Sequence, residues 1–173
     1  MEHYDVAPIS GMHGELGTLV AAWQDGTREW QENLEHPCLE AMTWQAYQDG
    51  PSIGAIMMHL ISCDRYWLAC FAEGKEFAAD HPAMEFDMTI DQYKPFWPAP
   101  PNEPIEWYYK MLADSRKEMF KLISRQKDPA KQFERKSSTA TYRWIVAHLV
   151  QHDSYCGGQM VLLHEMWKKL SAV

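Results

Sequence analysis

Apolar residues at Met12, Leu16, Leu19, Val20, Trp23, Trp30 and Leu34, with charged residues between them, follow the spacing of a helix that buries one face. The pattern predicts a first helix over residues 12–34. Gly14, Gly17 and Gly26 each weaken its propensity by about 1 kcal/mol relative to alanine, so tertiary packing has to hold it. Pro37 marks a turn, and a connector leads to Asp49-Gly50-Pro51-Ser52, a breaker cluster that also supplies an N-cap. A second helix is predicted over residues 53–72, with Ile53, Ile56, Met57, Leu60, Cys63, Trp67 and Phe71 on one broad face and Gly74 closing it.

Between residues 75 and 101 the period breaks at Pro82, Pro95, Pro98, Pro100 and Pro101, yet Phe77, Phe86, Tyr93, Phe96 and Trp97 are interleaved with the prolines. So many aromatics predict an ordered crossover packed along the bundle, with a short helix over residues 89–93. Asn102 and Pro104 open a third helix that runs through Tyr108, Leu112, Met119 and Ile123 to residue 125. Polar residues 126–136 read as the last loop, and Ser137-Ser138-Thr139 as hydroxyl caps for a fourth helix over residues 140–170. Four long amphipathic segments without a strand period predict an all-α fold. It is an antiparallel four-helix bundle with a long crossover between helices 2 and 3, in one domain over residues 1–173.

Composition narrows the function. The net charge of −8 is spread without a block of Lys or Arg, which argues against nucleic acid as a partner. No apolar run reaches the ~18 residues of a membrane span, and the N-terminus lacks a basic region followed by an apolar stretch. The expectation is a cytoplasmic protein with no membrane partner. Cys38, Cys63, Cys70 and Cys156 are then thiols rather than a disulfide framework, and so remain open to a metal.

Chemistry concentrates in the fourth helix. At about 100° per residue, Ile145, Leu149, His152, Cys156, Met160, Leu163 and Trp167 share a stripe, with Gln159 also turned inward and His148 toward the flank. An imidazole and a thiol four residues apart can grip one ion, because that spacing stacks them one turn apart. His59, at the edge of the second helix's apolar face, is the natural third ligand. Cys63 follows it by four residues, so His59-x3-Cys63 and His152-x3-Cys156 could instead close a His2Cys2 site. The competing reading is a hydrogen-bonded core histidine beside a buried thiol. Asp64 is either bonded to Arg65 or a backbone group, or partners a ligand histidine. Gly157-Gly158 marks either a close helix approach or room for substrate beside Cys156.

Ser52-Ile-Gly-Ala-Ile-Met-Met-His59-Leu-Ile-Ser-Cys-Asp64-Arg-Tyr-Trp67 and His152-Asp-Ser-Tyr-Cys156-Gly-Gly-Gln159-Met-Val-Leu-Leu together resemble the DinB/YfiT-like bundles, a family that includes bacterial thiol S-transferases. The resemblance implies a metal held by one histidine of helix 2 and two of helix 4. The first matches His59, the second His152, and the third falls on Cys156, where the family usually has histidine. It implies a divalent transition metal, zinc first and nickel or iron next, and a small-molecule substrate such as a thiol. The reaction would be thiol transfer to an electrophile or metal-assisted hydrolysis, in a homodimer, and Asp64, Asp153 and Gln159 are then candidates to support the ligands or handle protons. The alternative is a non-catalytic, stress-related binding module. No Ser-His-Asp set, phosphate-binding loop or CxxC pair competes for the role.

Overall fold

The computed structural model describes residues 5–76, 81–83, 86, 96–135 and 138–172. Its long helices are α1 (Gly14–Leu34), α3 (Ile53–Arg65), α4 (Ile105–Arg125) and α5 (Tyr142–Ser171), with a short α2 (Leu39–Thr43) inside the first connector. The all-α bundle predicted from the period is what forms. Four ends follow local chemistry closely: His13 Nδ1 accepts from Glu15 N at α1, Ser52 Oγ from Ala55 N at α3, Pro104 precedes α4, and Gly74 takes a positive φ of 66° after α3 and its extension.

Three features depart from the sequence expectation. The second helix does not stay α-helical to residue 72: Tyr66–Ala72 is a π-helical turn that continues α3. Residues 126–141 are not all loop, because β1 (Gln132–Arg135) and β2 (Ser138–Thr141) pair antiparallel from Gln132↔Thr141 to Arg135↔Ser138. Two four-residue strands are too short to leave a readable alternation. The hairpin therefore takes Ser138 and Thr139 out of the capping role. Thr141 caps α5 instead, its side chain accepting from Trp144 N at 3.3 Å, and the helix starts two residues later than expected.

Around the bundle, α1 packs along α5, α5 on α3 and α3 on α4, while α1 and α4 scarcely meet. The crossover packs as expected where it is described, with Ala83, Phe86 and Trp97 buried and Trp97 N donating to Asp49 O at 3.0 Å. The short helix expected over residues 89–93 lies outside the described residues. Among the described residues no helix is long and apolar enough to cross a membrane.

The apolar interior is two clusters stacked along the bundle axis. One holds Leu16, Val20, Trp23, Leu68, Met119, Ile123, Ile145 and Leu149; the other holds Trp30, Leu34, Ile56, Leu60, Tyr108, Leu112, Cys156 and Met160. Each long helix passes from one cluster to the other, and each carries polar side chains at the crossing. They are Thr27 on α1, Cys63 and Asp64 on α3, Ser115 and Arg116 on α4, and His152 and Asp153 on α5. A polar layer thus cuts the core, and the candidate chemistry lies in it.

Candidate metal centre

His59 and His152 project from α3 and α5 into this layer until their Nε2 atoms stand 3.2 Å apart. Cys63, one turn beyond His59, places Sγ 3.6 Å from His59 Nε2. The donor atoms of His59, Cys63 and His152 all lie within 4.8 Å of one another. Cys156 falls outside that three-residue cluster, although its Sγ is 3.6 Å from His152 Nε2. The expected pair on α5 and the expected histidine on α3 are therefore neighbours. The thiol that completes a compact triad is Cys63, which the sequence suggested only within a four-ligand site.

The donor set suits a zinc-like ion. For metal–nitrogen bonds near 2.05 Å and metal–sulfur bonds near 2.3 Å at tetrahedral angles, the N···N edge is roughly 3.3 Å and the N···S edge roughly 3.6 Å. The observed N···N separation of 3.2 Å is close to that edge, whereas Cys63 Sγ lies almost equally far from His59 Nε2 (3.6 Å) and Nδ1 (3.7 Å), against the ring, so the thiol has to turn about its side-chain torsion to share an ion with Nε2. His152 also has the required charge state. Burial holds His152 down to about 3, with His59, His148 and Arg116 adding to the effect, so its imidazole is neutral at ordinary pH. On His59, Nδ1–H donates to the Phe86 carbonyl at 3.3 Å, a carbonyl that also accepts from Ser62 Oγ. That bond leaves the lone pair on Nε2, the atom facing the centre. Without an ion the 3.2 Å contact is an N–H···N hydrogen bond in which His152 donates. His152 Nδ1 is buried with no hydrogen-bond partner among the described residues. Cys156 is pushed up to about 12 by burial and then by Asp153 and Asp64, so it is a neutral thiol until a cation draws its proton away.

Asp64 is bonded neither to Arg65, which pairs with Glu118 at 3.1 Å, nor to a histidine among the described contacts. Adjacent residues on a helix point apart, and Asp64 Oδ2 instead accepts from Arg116 Nε of α4 at 3.0 Å. Arg116 Nη2 donates to Asp153 Oδ1 and Nη1 to Thr27 Oγ1. Asp153 Oδ2 also accepts from Thr27 Oγ1 at 2.9 Å and from Trp30 Nε1 at 3.0 Å. One guanidinium thus ties together the residue after Cys63 and the residue after His152. Burial acts against the Arg116 charge, and the two carboxylates override it and raise its pKa. Burial pushes Asp64 up to about 7 despite Arg116, and its Oδ1 is unpartnered. The sequence did hold a signal for Arg116: it occupies an apolar-stripe position between Leu112 and Met119, where a charge must find buried partners.

Rings pack around the imidazoles. Trp97 packs edge-on against His59 at 5.5 Å; His148 stacks on Trp144 at 4.9 Å, and Trp67 of the π turn meets His148 at 5.2 Å. His148 is thus the flank residue expected, 6.1 Å ring to ring from His152. Gln159 is half-buried, one turn beyond Cys156. A Cβ at Gly157 would stand 2.4 Å from Trp30, which is the close helix approach, whereas a Cβ at Gly158 would meet nothing within 4 Å. None of the four cysteines is in a disulfide.

A family model described as the DinB superfamily matches residues 14–160, a span that contains every residue of this layer. No curated protein matches the chain.

Proposed function

The chain belongs to the DinB superfamily, and from that premise we propose that it is a metal-dependent enzyme acting on a small-molecule substrate, with His59, Cys63 and His152 as protein ligands of a divalent transition metal, zinc first. The observation that supports the reading is the pair of imidazole nitrogens 3.2 Å apart, near the edge a tetrahedral ion requires, with the Cys63 thiol beside them and all three donors within 4.8 Å of one another. Three protein ligands leave a fourth position open for a substrate thiol or water. A metal there supplies positive charge that lowers the pKa of such a group. The reactions that fit are transfer of a low-molecular-weight thiol to an electrophile and hydrolysis of the electrophile.

The protein's own groups do the rest. Phe86 carbonyl sets the His59 tautomer. Arg116 holds α3 and α5 at the spacing that lets their ligands meet. Trp97 packs edge-on against His59, and beside His152 the Trp144 ring stacks on His148 while Trp67 stands edge-on to both, an aromatic wall next to the imidazole. Asp64, held by Arg116 on one oxygen, acts through the layer rather than on substrate.

A second reading has its own support. Cys156 Sγ lies 3.6 Å from His152 Nε2, so a small rotation would add a fourth protein ligand and close the site as His2Cys2, a non-catalytic binding module. Elemental analysis and cobalt spectra of tag-free protein separate the readings. In the enzyme reading one equivalent of metal binds, and a single-thiolate charge-transfer band is lost in Cys63→Ala and kept in Cys156→Ala. Added thiol then perturbs the spectrum. Loss of intensity in both variants, with no response to added thiol, replaces it with the closed module. A band lost only in Cys156→Ala moves the third ligand to Cys156. Protein that stays empty in excess metal overturns both readings.

A further inference from the structure

On the side of the bundle where α1 and α4 scarcely meet, a cleft of about 640 Å³ runs between them. Small-molecule sites typically occupy about 300–1,000 Å³. Its body is apolar: Met12, Tyr109, Leu112, Ala113 and Phe120 line it, with Leu112 buried in the core beneath. No candidate metal ligand borders it.

The lip of this cleft is basic in a chain of net charge −8. Arg28 is already committed to Asp25 and Glu32, at 2.8 and 2.6 Å. Lys117 and Lys121 are not. They stand one turn apart on α4, both exposed, and neither takes part in an ion pair among the described residues. Deeper in the cleft, Arg116 offers no competing anchor, because its Nε, Nη1 and Nη2 donate to Asp64, Thr27 and Asp153. A negative head group is thus directed to the lip and an apolar body to the floor.

We infer that the α1/α4 cleft binds a small anionic amphiphile, a single acyl chain or aromatic body ending in a carboxylate, with the carboxylate at Lys117 and Lys121. The anion compensates two cations that make no ion pair among the described residues, Lys117 having only the longer-range attraction of Asp114, and its body covers apolar surface that the bundle leaves open to water. This site is independent of the metal-centre reading.

The test is calorimetric titration of the protein with dodecanoate and, separately, dodecyltrimethylammonium, each below its micelle concentration. Wild-type protein is expected to take up one equivalent of dodecanoate and to bind the cationic amphiphile at least tenfold more weakly. Lys117→Gln/Lys121→Gln should weaken dodecanoate binding about five- to tenfold and flatten its salt dependence, in line with two exposed charge contacts. Ala113→Trp, which adds an indole at an exposed position lining the cleft, should abolish binding while circular dichroism stays unchanged. Absence of saturable binding, equal affinity for the two amphiphiles, or binding untouched by Ala113→Trp overturns the inference. So does a dimer that excludes dodecanoate and falls to monomer in Ala113→Trp, since the cleft would then be filled by a second copy of the chain.

Discussion

Replacing Gly157 with alanine tests the packing of the polar layer, because the substitution ordinarily stabilises a helix and here should do the reverse. A Cβ at 157 would lie 2.4 Å from both Cδ1 and Cγ of Trp30 and 2.8 Å from its Cβ, well inside the roughly 3.5–4.0 Å of favourable carbon contact. Trp30 must therefore retreat by about an ångström. It is only 5% exposed, and its Nε1 donates to Asp153 Oδ2 at 3.0 Å. Overpacking costs about 1–3 kcal/mol and a weakened hydrogen bond to a charged group about 1.5–3, against about 1 gained from helix propensity. Gly157→Ala should thus be destabilised by about 1.5–5 kcal/mol. The neighbouring Gly158 is the internal control: a Cβ there meets nothing within 4 Å, so Gly158→Ala should gain up to about 1 kcal/mol. Urea unfolding with an unchanged slope reads both. A Gly157→Ala protein as stable as wild type would refute the close approach of α1 and α5 at Trp30.

Arg116→Met leaves Asp64 and Asp153 buried without their common cation and should cost about 3–5 kcal/mol in urea unfolding, part of it recovered by adding Asp64→Asn. Thr141→Ala removes the α5 cap and should cost about 1 kcal/mol, whereas Ser138→Ala, exposed in β2, should change stability by less than about 0.5 kcal/mol by the same assay. Zinc at a thousandfold excess over its Kd should raise stability by about 4 kcal/mol, and His152→Ala should abolish the increment measured by thermal unfolding with and without chelator.

The sequence by itself determined the four long helices, because each carries a complete apolar stripe within one uninterrupted segment, and a period needs no partner to be read. It also determined the two His-x3-Cys pairs, since four residues along a helix is one turn whatever the surroundings. What it lacked was anything set by how one helix stands against another. Whether Cys63 or Cys156 completes the compact triad with the two histidines depends on the rotation and register of α3 against α5. The bonds from Arg116 to Asp64, Thr27 and Asp153 span 37 to 89 residues, so no local spacing encodes them. Gly157 and Gly158 are identical in sequence, and only the position of Trp30 on α1 makes one of them irreplaceable. The β hairpin and the Thr141 cap were lost because four-residue strands fall below the length at which alternation shows, and because several hydroxyls in a row offered the same capping chemistry. Tertiary structure alone decided the polar layer. Thr27, Asp64, Arg116 and Asp153 each look like an isolated polar interruption of an apolar stripe, and only helix packing brings the interruptions to one level, where burial forces them to bond to one another.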